Sequence, residues 1–142
     1  MIDPYSSTIV ASNRLREQYT KTPKLIIAVD HDDTVFDFHR KGHIYDRAIG
    51  LVRECRAAGF YVVIFTASPE HRYGEIYEYW RSYIGVTPDG INRNPVDLPY
   101  GQTGKIFYNL LLDDRAGLGQ AMDILENLFA QIEENKNQPV FL

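Results

Sequence analysis

Residues Asp30-His31-Asp32-Asp33-Thr34 place two carboxylates two positions apart directly behind an apolar run, and a second acidic pair, Asp113-Asp114, follows another apolar run far along the chain. Side chains at i and i+2 of an extended chain project to the same side. Asp30 and Asp32 should therefore converge on one point, and Asp113 and Asp114 reach it if the two runs are neighbouring strands. Two like charges about 4 Å apart repel by ~1 kcal/mol in water and by ~4 kcal/mol in a partly dry site. A cation would relieve that repulsion. Carboxylate oxygens without histidine or cysteine at ligand spacing favour a hard ion, and Mg2+ suits a site with few protein carboxylates and room for water and a phosphate oxygen. A single cluster such as 30–34 reads equally well as a solvated turn capping a helix. The metal reading rests on two clusters, each directly behind an apolar run.

Thr66 closes a further apolar run, and Lys105 precedes the run that ends at Asp113. Neither says much alone, since threonine caps helices and lysine solvates surfaces. Their order along the chain is what matters. A hydroxyl after the second run and an ammonium before the third could both hold a phosphate beside a metal.

The elements that must position these groups follow from the hydrophobic pattern. Leu25–Val29, Phe60–Phe65 and Phe107–Leu112 are short apolar runs without polar alternation, the mark of strands buried on both faces of a parallel sheet. Between and after them, the spacing predicts helices from Tyr45 or Asp46 to Ala58, from Pro69 or Glu70 to about Tyr83, and from Leu118 to Glu134. Asp46 is the expected N-cap of the first, Ile49, Val52 and Cys55 its inner face, and Gly59 its C-terminal stop. Leu118, Met122, Leu125, Phe129 and Ile132 make the apolar stripe of the last. Residues 85–104, rich in glycine and proline, read as loop with a short strand near Ile91. Residues 1–23 read as an N-terminal extension in which Ile9, Val10, Leu15 and Tyr19 line one side of a short helix, ended by Pro23. Alternating strands and helices imply a three-layer α/β/α, Rossmann-like fold over residues 24–142, with a central parallel sheet. Such sheets bind ligands beyond the carboxyl ends of their strands, where the acidic clusters and Thr66 fall.

Composition narrows the function classes. The chain has 142 residues, enough for one domain. With 44% hydrophobic and 24% charged residues it is an ordinary globular sequence. Its 15 Lys+Arg against 19 Asp+Glu give a net charge of −4, which argues against a general nucleic-acid coat while allowing a local basic patch for one phosphate. The single cysteine, Cys55, excludes an internal disulfide and a thiolate zinc cluster, and reads as buried packing. No run has the length of a membrane span and the first residues lack a signal-peptide pattern, so no membrane partner and a cytoplasmic location are expected.

On these motifs the sequence resembles the haloacid dehalogenase-like phosphohydrolases. The Asp-x-Asp-x-Thr motif appears as Asp30 to Thr34, the strand-ending hydroxyl as Thr66, the lysine as Lys105 and the acidic pair as Asp113-Asp114, over roughly residues 24–134. The first and last motifs are specific and the middle two are not. Asn92-Arg93-Asn94-Pro95 together with Asp113-Asp114-Arg115 is similar to a small capless bacterial and phage subgroup, and the Asp-Asp-Arg ending to the phosphatase domain of phage polynucleotide kinase. Two departures stand out: Asp33, where the family often has glycine, and the N-terminal extension, for which the family offers no role.

The resemblance implies a Mg2+-dependent phosphomonoesterase. Asp30 would attack phosphorus to give an aspartyl-phosphate, and Asp32 would protonate the leaving oxygen and then activate water, a role needing a raised pKa that crowding by acids could supply. Thr66 and Lys105 would hold the phosphoryl group. The metal would be held by Asp30, by Asp32 through its backbone carbonyl, by Asp113, and by Asp114 directly or through water. The segments 35–45 and 67–104 are too short for a cap domain, which implies an open site and a nucleotide or nucleic-acid end as leading substrate. Ala67, Arg40, Arg72 and Asn92 are candidate substrate contacts. The cluster His39, Arg40, Lys41 and His43, and the pair His71 and Arg72, read as phosphate contacts or as solvated loop. Tyr73, Tyr77 and Trp80 read as core packing or as base-stacking platforms. Assembly with further copies stays open. The alternatives are a non-enzymatic phospho-accepting or phosphate-binding signalling module of the receiver kind, whose motif order differs from this one, and a binding protein that has lost activity.

Overall fold

Uninterrupted apolar residues leave a strand no solvent face, so it must sit inside a sheet covered on both sides. The fold is described from a computed structural model, covering residues 3–98 and 104–137. Four strands, β1 (Ile26–Val29), β2 (Tyr61–Ile64), β3 (Gly90–Ile91) and β4 (Leu110–Leu112), form one parallel sheet in the order β3-β2-β1-β4. In register, Ile27 pairs with Val62 on one side and Leu110 on the other. Ile27, Val29, Val62 and Ile64 join the main core cluster, while the alternate residues Ile26, Ala28 and Val63 point to the opposite face and are also buried. The fold is the three-layer, Rossmann-like α/β arrangement that the sequence pattern implies.

The helices are α1 (Thr8–Lys21), α2 (Asp46–Ala57), α3 (Tyr73–Tyr79) and α4 (Leu118–Lys136). In α2, Ala48, Ile49, Leu51, Val52 and Cys55 are buried, and Gly59 follows with φ 82°, the left-handed stop that glycine takes without strain. Asp46 is not the N-cap: Tyr45 holds that place, and Asp46 sits in the first turn, where its charge suits the helix dipole. The expected single helix after β2 is three pieces: a 3-10 turn at Glu70–Arg72, then α3, then a π-helical turn at Trp80–Ile84 closed by Gly85 at φ 80°. In α4 the buried stripe is Ala121, Ile124, Leu125 and Leu128; Leu118, Met122, Phe129 and Ile132 pack against the core from its edge.

Two further expectations are corrected. The inner face of α1 is Ser12 and Leu15, with Ala11 and Tyr19 beside them, whereas Ile9 is 73% exposed and Val10 37%. At 100° per residue, Ile9 lies about 120° around the helix from Leu15, so the two cannot share a narrow stripe. Through Leu15, and through bonds from Arg16 to Asn127 and Gln120 to Thr8, α1 packs along α4 as part of the domain. The last strand starts at Leu110, not Phe107. Just before it, the Asn109 N–H donates to the Ile26 carbonyl, while the Asn109 side-chain oxygen accepts the Ile26 N–H at 2.7 Å, a bond that a strand would make through its backbone carbonyl.

Candidate functional site

At the carboxyl end of β1 the chain leaves the sheet in a tight loop. The Asp30 N–H still donates to the Leu112 carbonyl at 2.8 Å, which ties the β1 and β4 ends together. The His31 carbonyl then accepts from the N–H groups of Thr34, Val35 and Phe36. Asp33 takes φ 63°, a left-handed position that aspartate tolerates and glycine takes most freely. The alternation expected of an extended chain holds. Asp30 and Asp32 line a cleft of about 570 Å3, while His31 between them points inward and is 1% exposed.

His31 stacks on Phe36 with ring centroids 4.9 Å apart, and its Nδ1 accepts the Trp80 indole N–H at 3.0 Å. Burial pushes its pKa down to about 4, against the pull of Asp32, so the ring is neutral at pH 7. Trp80 is thus a buried support for the loop, and Tyr79 assists by donating its hydroxyl to the Val35 carbonyl at 2.6 Å.

Asp30, Asp113 and Asp114 converge, each offering a carboxylate oxygen within 4.8 Å of the others. Thr34, fully buried, ties them together. Its hydroxyl lies 3.1 Å from Asp30 Oδ2 and 3.2 Å from Asp114 Oδ1, and it accepts the Asp114 N–H at 3.0 Å. A hydroxyl has one proton to donate, so it can satisfy only one of the two carboxylates at a time. Burial, then the hydrogen bond shared with Asp114 and the charge of Asp113, push the Asp30 pKa up to about 7. Oxygen donors crowded in this way fit a hard divalent cation.

The Asp32 carboxylate stands outside this triad. Arg72 donates to both its oxygens, at 2.8 and 3.2 Å, and Ser68 lies 3.3 Å away. Burial pushes the Asp32 carboxyl up, but the Arg72 bonds and charge outweigh it and leave its pKa below the ordinary value. The expectation of a raised Asp32 pKa is therefore reversed: the raised carboxyl is Asp30.

Thr66 lines the cleft from the end of β2, and its hydroxyl accepts the Ser68 N–H at 3.1 Å. Ala67 and Arg72 line the cleft as well. Asn92 does not. Its side chain clasps the backbone of Thr66, accepting from the N–H at 2.8 Å and donating to the carbonyl at 2.7 Å, and it also donates to the Tyr73 hydroxyl. Arg40 is exposed on the loop after β1 and lies outside the cleft. Lys105 is not brought to the acids either. It precedes β4 and lines a separate cavity of about 540 Å3 with Arg14, Leu15 and Asn94. His39 reaches the cleft, with Nδ1 3.0 Å from Asp33, whereas Lys41 and His43 face a smaller neighbouring pocket. Cys55 is buried and its thiol is pushed up to about 12 by that burial, in keeping with a packing role.

Sequence reasoning passed over Thr34 as a group with a job of its own, and over Ser68, Phe38, Phe65 and Arg115, all of which line the cleft except Thr34 beneath it. Ser68, a hydroxyl two residues beyond Thr66, and Arg115, directly after the acidic pair in its motif, carried signals that could have found them.

No protein-family model matches the chain, and comparison with curated proteins finds no relative. Among solved structures, the fold is similar to that of a conserved protein from Bacteroides thetaiotaomicron, at a TM-score of 0.58 and 20% identity, over 80% of this chain and 93% of that one. That likeness supports the fold. Among the described residues, no helix is long and apolar enough to cross a membrane.

Proposed function

We propose that this chain is a Mg2+-dependent phosphomonoesterase of the haloacid dehalogenase-like kind, acting on nucleotide or nucleic-acid end phosphates in a capless cleft. The observation that carries this reading is the convergence of Asp30, Asp113 and Asp114 from the ends of two adjacent parallel strands, with Thr66 and Asp32 on the same cleft. Asp30, Asp113, Asp114 and the Asp32 backbone carbonyl would hold the ion, which would neutralise charge on the carboxylates and the phosphoryl oxygens.

The Asp30 carboxylate attacks phosphorus, and the bond to the leaving oxygen breaks as that oxygen takes a proton from Asp32. Asp32, now a carboxylate, accepts a proton from the water that attacks the aspartyl-phosphate, which frees Asp30 and inorganic phosphate. Arg72 is the cation beside Asp32 in this cleft. If it exchanges one carboxylate bond for a phosphoryl oxygen, Asp32 can take up the proton that the first step needs. Thr66 offers its hydroxyl to another phosphoryl oxygen.

The test is phosphate release from mononucleotides, 3′- and 5′-phosphorylated oligonucleotides and sugar phosphates, with Mg2+ and with EDTA. Metal-dependent multiple turnover, lost in Asp30→Asn, is the expected result. No metal-dependent release from any substrate overturns the reading. A single stoichiometric labelling without turnover would assign the chain to the phospho-accepting modules instead.

A further inference from the structure

Two large rings stand in solvent on an acidic cleft: Phe38 is 48% exposed and Phe65 38%. Single exposed apolar residues are ordinary on a protein surface. These two come from different loops, after β1 and after β2, and both line the cleft that holds Asp30 and Thr66. Neither ring is loose. The Arg72 guanidinium lies 5.2 Å from the Phe38 ring centre, and His39 packs its ring against the same residue at 5.1 Å. Phe65 rests against Tyr108 at 6.5 Å. Arg72 thereby links the Phe38 ring to Asp32, so the apolar rim and the reacting end of the cleft are set by one side chain.

Resting on the reading of this cleft as a phosphomonoester site, we infer that Phe38 and Phe65 are specificity-determining residues that take the base of a mononucleotide as its phosphate reaches Asp30. A held flat ring presents a π-face on which any base can stack. A mononucleotide fits better than a polynucleotide end. The cleft is lined by Asp30, Asp32, Asp33, Asp113 and Asp114 against Arg72 and Arg115, which provides no basic track for a phosphate backbone. Arg40, the cation next to the rim in sequence, lies outside the cleft.

The test compares kcat/KM for adenosine 5′-monophosphate and for ribose 5-phosphate in Mg2+, in the wild type and in Phe38→Ala and Phe65→Ala. Phe38→Leu and Phe65→Leu keep apolar bulk without the ring and guard against loss of folding. Binding of adenosine 5′-monophosphate is followed in parallel by calorimetry. The wild type should prefer the nucleotide, and each substitution should cut that preference by about tenfold, with a matching loss of nucleotide affinity. A wild type without preference, or leucine variants that keep it in full, overturns the inference and leaves the phosphatase reading standing. A 5′-phosphorylated oligonucleotide that outcompetes the mononucleotide overturns it too. If neither substrate is hydrolysed, the phosphatase reading falls, and calorimetry decides the rim: a tenfold weaker nucleotide complex in the variants supports it, and unchanged affinity overturns it.

Discussion

Asp30→Asn should abolish turnover and yet make the metal-free protein more stable at neutral pH. In the folded chain the Asp30 carboxyl is lifted from 3.8 to about 7, by burial first and then by the bond to Asp114 and the charge of Asp113. A carboxyl whose pKa is higher folded than unfolded keeps its proton in the native state after the unfolded chain has lost it. Its contribution to stability is complete below pH 4 and disappears as pH rises through 7. At ~1.4 kcal/mol per pH unit the ceiling of that loss is ~4 kcal/mol. Water reaches part of the carboxyl through the cleft, so about 2 kcal/mol is a better expectation. Asparagine is neutral throughout. In EDTA at pH 8 the variant should therefore be about 2 kcal/mol more stable, or about 6 °C higher in Tm, and the two proteins should converge below pH 4. Mg2+ should reverse the order. Wild type gains stability as the ion occupies the site, by ~2.7 kcal/mol at a hundred times Kd, and the variant gains little. Urea and thermal melts at pH 4, 6 and 8, with EDTA and with Mg2+, measure all of this. A variant no more stable than wild type at pH 8, or more stable by the same amount at every pH, would refute the crowded-carboxylate account.

Thr34→Val keeps the shape but removes the hydroxyl between Asp30 and Asp114 and the acceptor of the Asp114 N–H; it should cost ~1–3 kcal/mol in urea melts and weaken Mg2+ binding by calorimetry. Arg72→Ala removes the bonds and charge that hold the Asp32 pKa down, so the basic limb of the pH–rate profile should move to higher pH while kcat/KM falls; an unmoved limb would contradict the Asp32 assignment. Asn92→Ala unclasps Thr66 from β3 and should lower stability by ~2 kcal/mol, with the effect read in melts more than in KM. His31, lowered from 6.5 to about 4, contributes stability that is complete above pH 6.5 and lost as pH falls through 4, with a ceiling of ~3 kcal/mol; fluorescence of Trp80, the one tryptophan, should report the transition near pH 4.

What the sequence made legible was whatever a local pattern encodes. The strand ends could be read because unbroken apolar runs stop abruptly at polar residues, and the i, i+2 rule placed Asp30 and Asp32 on the cleft and His31 away from it. Pairings set by the path of the chain could not be read. Arg72 meets Asp32 across forty residues only because the turn after Thr66 and the 3-10 turn at Glu70–Arg72 fold back over the β1 loop. The same limit applies to Lys105, whose place ahead of β4 in the chain put it beside the motif in order but not in space. Asn92 stood in a turn-forming context, and nothing local to it told a substrate contact from a clasp on Thr66. In α1, residue types suggested a stripe, but the helical period and the neighbour α4 decided which side is buried.

The charge arrangement of the cleft bears on the proposal that it holds a divalent ion. Among the described residues, three neighbours of the triad leave its charge uncompensated. Arg72 is committed to Asp32, with a further bond to Glu75. His31, next to Asp30 in sequence, points into the core and is kept neutral by burial and by the Trp80 bond. Thr34 has one proton for two carboxylates. Asp30, Asp113 and Asp114 are left crowded together, and the burial and crowding push the Asp30 carboxyl up to about 7. Asparagine at position 114 could keep a hydrogen bond to Thr34 and remove part of the repulsion. Carboxylates at all three positions make sense if the missing positive charge arrives from outside the chain; under the proposed function, a divalent cation with open positions for a phosphate oxygen would supply it where Asp30 approaches the phosphoryl group.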